Sequence, residues 1–179
     1  MTAGSSVAVV GTGRMGTAIA RGLLSSGHPV TVYNRTQERA SACVESGARL
    51  ASSVQEAVAS AEITIVCILD YAASYALIDQ SDVVETLRGS DLIQLTSGSS
   101  AQATSGADWA AHHEIRYLEG FPMFYPEQLG LDEAVTVYSG CEAVFGDRLG
   151  LHHGILRTVN EDTAGRARSE EGEIVHARR

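Results

Sequence analysis

The chain has 179 residues, the length of one domain, and its 44% hydrophobic and 20% charged residues are typical of a globular protein. Its net charge of −9 repels phosphate backbones and anionic lipid, which excludes nucleic acid and membrane surfaces as partners. The sequence has three widely separated cysteines, which predicts reduced thiols. It has neither a basic and apolar leader nor an apolar run near about 20 residues, and together with the cysteines this predicts a cytoplasmic protein.

The hydrophobic pattern predicts strands and helices that alternate along the chain. Residues 7–10 are a continuous apolar run ending at Gly11, as expected for a parallel strand buried on both faces. Gly27 fits a left-handed helix cap and Thr36 an N-terminal cap, while Gly106 is expected to break a helix. In chain order the pattern predicts a strand over 7–10, a helix over 13–26, a strand over 30–33, helices over 36–45 and 53–59, a strand over 63–69, helices over 71–78 and 83–87, a strand over 92–95, a helix over 100–112, strands over 116–118 and 134–138, and a helix over 142–149.

This alternation predicts one α/β domain over residues 1–165. Strands that alternate with helices are joined by right-handed crossovers, which build a doubly wound, mostly parallel sheet. After residue 165 the segment RARSEEGEIVHARR is mostly charged and cannot bury enough apolar surface to offset its ordering entropy. Residues 166–179 are therefore predicted to be a polar tail, either frayed or a short exposed helix.

Three glycines follow the first predicted strand and open the first predicted helix in a G-x-G-x-x-G pattern. In this context Gly11 permits a tight turn, Gly13 lets the backbone approach a pyrophosphate, and Gly16 allows the helix to pack closely on the strand. The N–H groups and positive dipole at the helix N-terminus then face the phosphates. The pattern predicts a Rossmann-type dinucleotide-binding domain; a structural turn without a ligand is the alternative. The intervening residues assigned to the cofactor site are Thr12, Arg14 and Met15, with Arg14 either touching a phosphate or pointing to water.

The second predicted strand ends at Asn34, Arg35 and Thr36, where NAD-specific domains place an Asp or Glu for the ribose 2′-hydroxyl. A carboxylate there would repel a 2′-phosphate, whereas the Arg35 guanidinium can pair with it bidentately and stack on adenine. Asn34 and Thr36 are expected to add neutral hydrogen bonds. Arg39, one turn further on, either joins the phosphate or is a solvated helix residue. These residues predict NADP as the cofactor.

Six stretches of the sequence, taken together, carry a family resemblance. They are GTGRMGTAIARGLLSSGHPVTVYNRT, VCILDYAA, LIQLTSGSSAQA, YLEGFPMFYPEQLG, AVTVYSG and LRTVNEDTAGRA. The sequence resembles the β-hydroxyacid dehydrogenase superfamily, to which 6-phosphogluconate dehydrogenase belongs, and within it the NADPH-dependent imine reductases. The resemblance covers residues 6–167 and includes the Asn-Arg-Thr that this group associates with NADP.

The resemblance implies hydride transfer between NADPH and a C=N or C=O group of a small molecule. Full members continue into a long interdomain helix and an all-helical second domain, which makes the dimer and supplies much of the substrate pocket. Hydroxyacid enzymes place a catalytic lysine on that helix, and imine reductases place an Asp or Tyr proton donor there. This sequence contains no lysine, and the helical domain is expected to be lacking.

Ligands of open parallel sheets bind beyond the carboxyl ends of the strands, where this sequence places Leu69, Asp70, Thr96 and Ser97. All four residues are assigned to the cofactor site. Thr96 and Ser97 either bind the nicotinamide carboxamide or cap the helix that follows Gly98.

Reduction of an imine or carbonyl also needs a proton source near the reacting atoms. The candidates at this edge are Asp70, Tyr71, Glu119 and Tyr125, of which Asp70 and Tyr125 are the predicted catalytic residues. Structural alternatives exist for each, since Asp70 can be a helix cap and Glu119 a solvated charge. Tyr71 and Tyr125 can be half-buried packing residues. The six histidines lack metal-binding spacing, so no metal is predicted.

Two functions stay open at this level. The first is an NADP-dependent oxidoreductase acting on an imine or carbonyl compound, with a pocket completed by a homodimer or a partner chain. The second is a non-catalytic NADP-binding module, a truncated or degenerate reductase. The family resemblance favours the enzyme, and the expected lack of a second domain favours the module.

Overall fold

The computed structural model describes residues 4–131, 134–140, 157–161 and 167–168. These residues form one sheet of nine strands, with helices packed on both of its faces. The strands are β1 (Val7–Val10), β2 (Val30–Tyr33), β3 (Arg49–Leu50), β4 (Ile63–Val66), β5 (Asp91–Gln94), β6 (Arg116–Pro122), β7 (Val135–Gly140), β8 (Arg157–Glu161) and β9 (Ala167–Arg168). The helices are α1 (Arg14–Ser25), α2 (Ser41–Glu45), α3 (Val54–Ala59), α4 (Tyr71–Ile78), α5 (Ser81–Leu87) and α6 (Ser100–His112), with 3-10 helices at Gln37–Ala40 and Pro126–Gln128.

The strands lie in the order β3-β2-β1-β4-β5-β6-β7-β8-β9. All neighbouring pairs from β3 to β6 are parallel, and so are β7 and β8, whereas β6–β7 and β8–β9 are antiparallel. In the register of β1, Val7 lies opposite both Val30 and Ile63. Because the chain order reverses at β1, the carboxyl ends of β1 and β4 border a topological switch point. The predicted Rossmann-type, doubly wound and mostly parallel sheet is confirmed.

Side chains that alternate along β1 give the sheet two apolar faces. On one face, Val7 and Val9 belong to a core that includes Ile19 of α1. On the other face, Val10 belongs to a second core that includes Leu87 of α5. All residues of β1 and β4 are buried, as expected for strands covered on both sides. The two cores therefore fix the carboxyl ends of β1 and β4 next to each other.

Two elements differ from their predicted bounds near the carboxyl edge. The strand predicted over 63–69 ends at Val66, because the chain turns there toward the start of α4; the Cys67 N–H still donates to the Val10 carbonyl at 2.9 Å. The helix predicted over 36–45 is a 3-10 turn followed by the short helix α2. Thr36 precedes this turn, but its side chain makes no capping hydrogen bond.

Gly106 does not break α6, and that prediction is wrong. The helix is continuous, and Gly106 is buried within it. A Cβ atom at this position would lie 2.7 Å from the Tyr117 hydroxyl and 3.1 Å from the Tyr75 hydroxyl. Close packing of α6 against β6 and α4 therefore accounts for this glycine.

The last strands extend beyond the predicted pattern. The strands predicted over 116–118 and 134–138 are observed as β6 and β7. The sequence did not predict β3, β8 and β9; β3 and β9 have only two residues each, too few to show a pattern. Within the predicted polar tail the structure describes only β9, which pairs with β8. The remainder of 166–179 and the helix predicted over 142–149 lie outside the described residues, and the boundary at residue 165 stays a prediction. Among the described helices, none has the length and apolarity that a membrane crossing requires.

Candidate functional site

The glycine-rich loop turns tightly between β1 and α1. Gly11 has a φ of +102°, and a Cβ atom there would lie 2.3 Å from the Cys67 carbonyl oxygen. A Cβ atom on Gly16 would lie 1.9 Å from the carbonyl oxygen of Gly11, so only glycine lets α1 approach the loop this closely. Gly13 is different, because a Cβ atom there would meet no atom within 4 Å. Two glycines thus serve the fold, and the third leaves open space beside the loop.

The N-terminus of α1 is prepared to receive an anion. Gly13 is the N-cap residue, and no side chain caps the helix. The first turn also contains no acidic residue. Backbone N–H groups at such an uncapped end need hydrogen-bond acceptors, and the helix dipole favours negative ones.

A cavity of about 630 Å³ lies beside this loop at the switch point. Its volume is within the range of ligand pockets, about 300–1,000 Å³. The glycine loop, the end of β2, the loop after β4 and one face of α4 line it. Sequence reasoning missed the α4 wall, although the i, i+3, i+4 spacing of small and apolar residues could have indicated it. The lining residues are Gly11, Gly13, Arg14, Met15, Gly16, Tyr33, Asn34, Arg35, Thr36, Arg39, Cys67, Ile68, Leu69, Asp70, Ala73, Ala76 and Leu77.

The Asn34 side chain connects two walls of this cavity. Its Oδ1 accepts a hydrogen bond from the Thr12 N–H at 3.1 Å, and its Nδ2 donates to the Thr36 carbonyl at 2.7 Å. The Thr12 side chain is buried and does not line the cavity. Asn34 therefore fixes the glycine-rich loop against the β2 loop and places a neutral group where NAD-specific domains have a carboxylate.

Three guanidinium groups line the cavity. Arg35 and Arg39 are exposed beside the end of β2. Arg14, at the start of α1, forms an ion pair with Glu127, a partner that neither sequence alternative had anticipated. The pKa of the Glu127 carboxyl is held below its usual value by two groups, first by a hydrogen bond from the Glu127 backbone and then by the Arg14 guanidinium. The cavity thus offers cationic groups at two places, the glycine-rich loop and the end of β2.

The loop after β4 supplies the far side of the cavity. Asp70 is the N-cap of α4, and its Oδ1 accepts a hydrogen bond from the Ala73 N–H at 2.8 Å, so the helix-cap interpretation is correct. Leu69 is 87% exposed at the cavity mouth. Burial raises the pKa of the Cys67 thiol to about 11.

Thr96 and Ser97 do not cap α6, and that alternative is wrong. The N-cap is Ser99, whose hydroxyl accepts from the Gln102 N–H at 3.3 Å, while the Gln102 side chain accepts from the Ser99 N–H at 2.9 Å. The Thr96 hydroxyl is buried and accepts from the Ile68 N–H at 3.2 Å. Neither Thr96 nor Ser97 is among the residues that line the cavity.

The structure separates the two predicted catalytic residues. Asp70 lines the cavity, whereas Tyr125 lies in the loop after β6 and is not among the lining residues. The Tyr125 side chain is 74% exposed, so it is not the half-buried packing residue of the alternative interpretation. Its backbone N–H donates to the Gln128 side chain at 2.8 Å.

Glu119 belongs to a hydrogen-bonded cluster with tyrosines and is not the solvated charge that the sequence suggested. The Tyr117 hydroxyl donates to the Glu119 Oε2 at 2.5 Å, and the Tyr71 side chain lies near this carboxylate. Burial raises the pKa of Glu119, and the two tyrosine hydroxyls offset part of this increase. Burial and the neighbouring carboxylate raise the pKa of Tyr71 and of Tyr117. The odd-numbered positions of β6 put Tyr117 and Glu119 on one face, which was the available sequence signal.

The fold, the glycine-rich loop and the cavity at the switch point define a dinucleotide-binding domain of the NAD(P) class. Residues 6–120 match the family described as the NAD binding domain of 6-phosphogluconate dehydrogenase. The match covers more than half of the chain, and the chain belongs to this family.

The proteins that are similar to this chain include imine reductases and reductive aminases. The NADPH-dependent reductive aminase of Aspergillus oryzae (strain ATCC 42149 / RIB 40) is 36% identical over 134 residues, which are 75% of this chain and 45% of that protein. The imine reductase of Myxococcus stipitatus in complex with NADP+ superposes with a TM-score of 0.86 and 37% identity, over 89% of this chain and 56% of that one. The reductive aminase of Aspergillus terreus in complex with NADPH and ethyl-5-oxohexanoate superposes with a TM-score of 0.81 and 32% identity, over 90% of this chain and 56% of that one. The chain thus spans about half the length of these relatives.

Proposed function

We propose that the chain is the cofactor-binding part of an NADPH-dependent oxidoreductase that transfers hydride between NADPH and a C=N or C=O group of a small molecule. The observation that carries this proposal is the cavity at the switch point, with an uncapped helix N-terminus at one end and Arg35 at the other. The similarity to imine reductases and reductive aminases supports the class of substrate.

The lining residues fit the parts of an NADPH molecule. The N–H groups at the start of α1 would hold the pyrophosphate, and Gly13 leaves room for its approach. Arg35 and Arg39 would bind the 2′-phosphate, for which a guanidinium is suited and a carboxylate is not. Because the whole chain carries a charge of −9, this selectivity depends on local cations. When bound, NADPH supplies the hydride.

The proposed reaction also needs a proton donor near the reacting atoms. Asp70 lines the cavity and retains one carboxylate oxygen besides the Oδ1 that caps α4, so we retain it as a candidate. Tyr125 is exposed on the same edge of the sheet and could act on a substrate held between this domain and a second chain. We therefore propose that a homodimer or a partner chain completes the substrate pocket. The free thiols of Cys43 and Cys67 agree with the cytoplasmic location that we propose.

A non-catalytic NADP-binding module is the second candidate. It is favoured by the position of Tyr125 outside the cavity and by the use of the Asp70 carboxylate as a helix cap. This candidate shares the cofactor site with the first and differs only in turnover.

Titration of the purified chain with NADPH and NADH, followed by nicotinamide fluorescence, tests the cofactor site. Arg35→Ala is expected to weaken NADPH binding by about 1.5–3 kcal/mol, the contribution of a charged hydrogen bond, and to leave NADH binding almost unchanged. Arg21→Ala is the matched control, because Arg21 is exposed on α1 and does not line the cavity. Equal losses for both cofactors would contradict the assignment of Arg35.

Turnover separates the two candidate functions. NADPH oxidation is measured with a small cyclic imine, and with cyclohexanone plus a primary amine. If the chain is an oxidoreductase, NADPH oxidation is expected to depend on the added substrate. If the chain binds NADPH but does not oxidise it over a range of imines and ketones, the result supports the non-catalytic module.

A further inference from the structure

The ion pair between Arg14 and Glu127 joins two segments that are 113 residues apart. Arg14 is the first residue of α1 and lines the cavity. Glu127 is the middle residue of the 3-10 helix that follows β6. Both side chains are largely exposed, 79% for Arg14 and 64% for Glu127, so the pair can open without disturbing a core. We call this pair the Arg14–Glu127 clasp.

The fold holds Glu127 next to the start of α1. The 3-10 helix contacts α1, and Leu129 immediately after it packs against the core that contains Ile19 of α1. The Gln128 side chain accepts a hydrogen bond from the Tyr125 N–H, which closes the turn. The carboxylate of Glu127 is therefore presented at this place by the backbone around it.

The Glu127 carboxylate is the anionic partner of Arg14, the first residue of α1. The first turn of α1 has an uncapped N-terminus and no acidic residue of its own. An anion is stabilised there by the helix dipole and by the guanidinium of Arg14. In the proposed NADPH site the pyrophosphate binds at this helix N-terminus, and Arg14, which lines the cavity, is a cation beside it.

We propose that Glu127 competes with the cofactor phosphates for Arg14, so that dinucleotide binding opens the clasp. This inference rests on the proposed function, because it takes the cavity as the NADPH site. In the free protein Arg14 is paired with Glu127, and in the bound protein Arg14 pairs with phosphate and the Glu127 carboxylate turns to solvent. Glu127 thus lowers the affinity for the cofactor, and it links the glycine-rich loop to the loop that carries Met123 and Tyr125.

Glu127→Gln tests the competition, because the amide keeps the size of the side chain and loses its charge. NADPH is expected to bind about two- to fivefold more tightly to this variant, the range that an exposed ion pair can supply. Raising the salt concentration to about 1 M is expected to reduce the difference, since exposed charges are then screened within roughly 3 Å. Glu45→Gln is the control for net charge, because Glu45 is exposed on α2 and does not line the cavity.

A double-mutant cycle identifies Arg14 as the group for which the two anions compete. In an Arg14→Ala background, Glu127→Gln is expected to tighten NADPH binding less than it does in the wild-type chain. If the wild-type chain binds NADPH and Glu127→Gln binds it equally well or more weakly, the proposed competition is overturned and the proposed function is not affected. If the wild-type chain gives no fluorescence response to NADPH, the proposed function fails and the competition fails with it.

Discussion

At the scale of single residues, the three glycines of the loop have different roles that a methyl group can distinguish. A Cβ atom on Gly16 or on Gly11 would overlap a backbone carbonyl oxygen, whereas one on Gly13 would enter empty space. The backbone of Gly13, with φ of −69° and ψ of −173°, is open to any residue. Gly13 is therefore dispensable for the fold, and a requirement for it must come from a ligand.

Gly13→Ala and Gly16→Ala form a matched pair of variants. Gly16→Ala is expected to lower the Tm strongly or to prevent folding, because its Cβ would lie 1.9 Å from the Gly11 oxygen. Gly13→Ala is expected to keep a Tm close to that of the wild type and to weaken NADPH binding, since its methyl group occupies the space beside the helix N-terminus. Thermal unfolding and NADPH titration measure the two effects. Normal NADPH binding by Gly13→Ala would show that the pyrophosphate does not approach this backbone.

Sequence reasoning located the residues of the cavity that are close together along the chain. The glycine motif and the Asn34-Arg35-Thr36 segment each follow a strand, so their position was predictable. The sequence pattern does not indicate contacts between segments that are distant along the chain. The Thr96 hydroxyl bonds to a backbone group 28 residues away, and Arg14 pairs with Glu127 across 113 residues. Such contacts depend on how the elements pack, which local spacing does not encode.

At the scale of elements, α6 begins at Ser100 as predicted, but its N-cap is neither of the two residues that the sequence suggested. Residues 96–98 form a connection, and the capping box of Ser99 and Gln102 starts the helix. The sequence contains Ser99 and Gln102 at the required spacing, but Thr96 and Ser97 are also common capping residues. Hydrogen-bond geometry was needed to choose between them. The same limit applies to β3, which has two residues and no detectable alternation.

Ser99→Ala is expected to destabilise the domain by about 0.5–2 kcal/mol, the usual cost of losing an N-cap side chain. Ser97→Ala is the control, because Ser97 is exposed and does not cap the helix. Chemical denaturation measures both variants. Equal destabilisation by the two substitutions would mean that the start of α6 is not held by this capping box.

At the scale of the whole molecule, the amino ends and the carboxyl ends of the strands have different roles. At the amino ends of β5 and β6, the fully buried Asp91 pairs with Arg116 at 2.6 Å and helps to join the two strands. At the carboxyl ends the loops form the cavity and leave large apolar side chains exposed, among them Leu69 and Met123. The position of the site follows from the strand order; the sequence predicted the doubly wound, mostly parallel sheet but not that order. The sequence placed Tyr71 and Glu119 at this edge, but it did not predict the hydrogen bond between Tyr117 and Glu119.

The Glu119 cluster predicts how the stability of the whole domain depends on pH. Because burial raises the pKa of Glu119, the folded chain holds its proton more tightly than the unfolded chain does. The stabilisation by the protonated form is complete below about pH 4.5, the ordinary value of a glutamate, and is lost as the pH rises through the elevated pKa. Glu119→Gln removes this titration, and its amide oxygen can still accept from the Tyr117 hydroxyl.

The Tm of Glu119→Gln relative to the wild type is therefore expected to increase as the pH rises from about 4.5 toward neutrality. Thermal unfolding of the two proteins across this range, with Glu45→Gln as the exposed control, measures the effect. A constant difference in Tm would mean that Glu119 keeps the same charge throughout the range. A difference that falls with pH would mean that the tyrosine hydroxyls stabilise the carboxylate more than burial opposes it, because hydrogen bonds to the charged form lower the pKa.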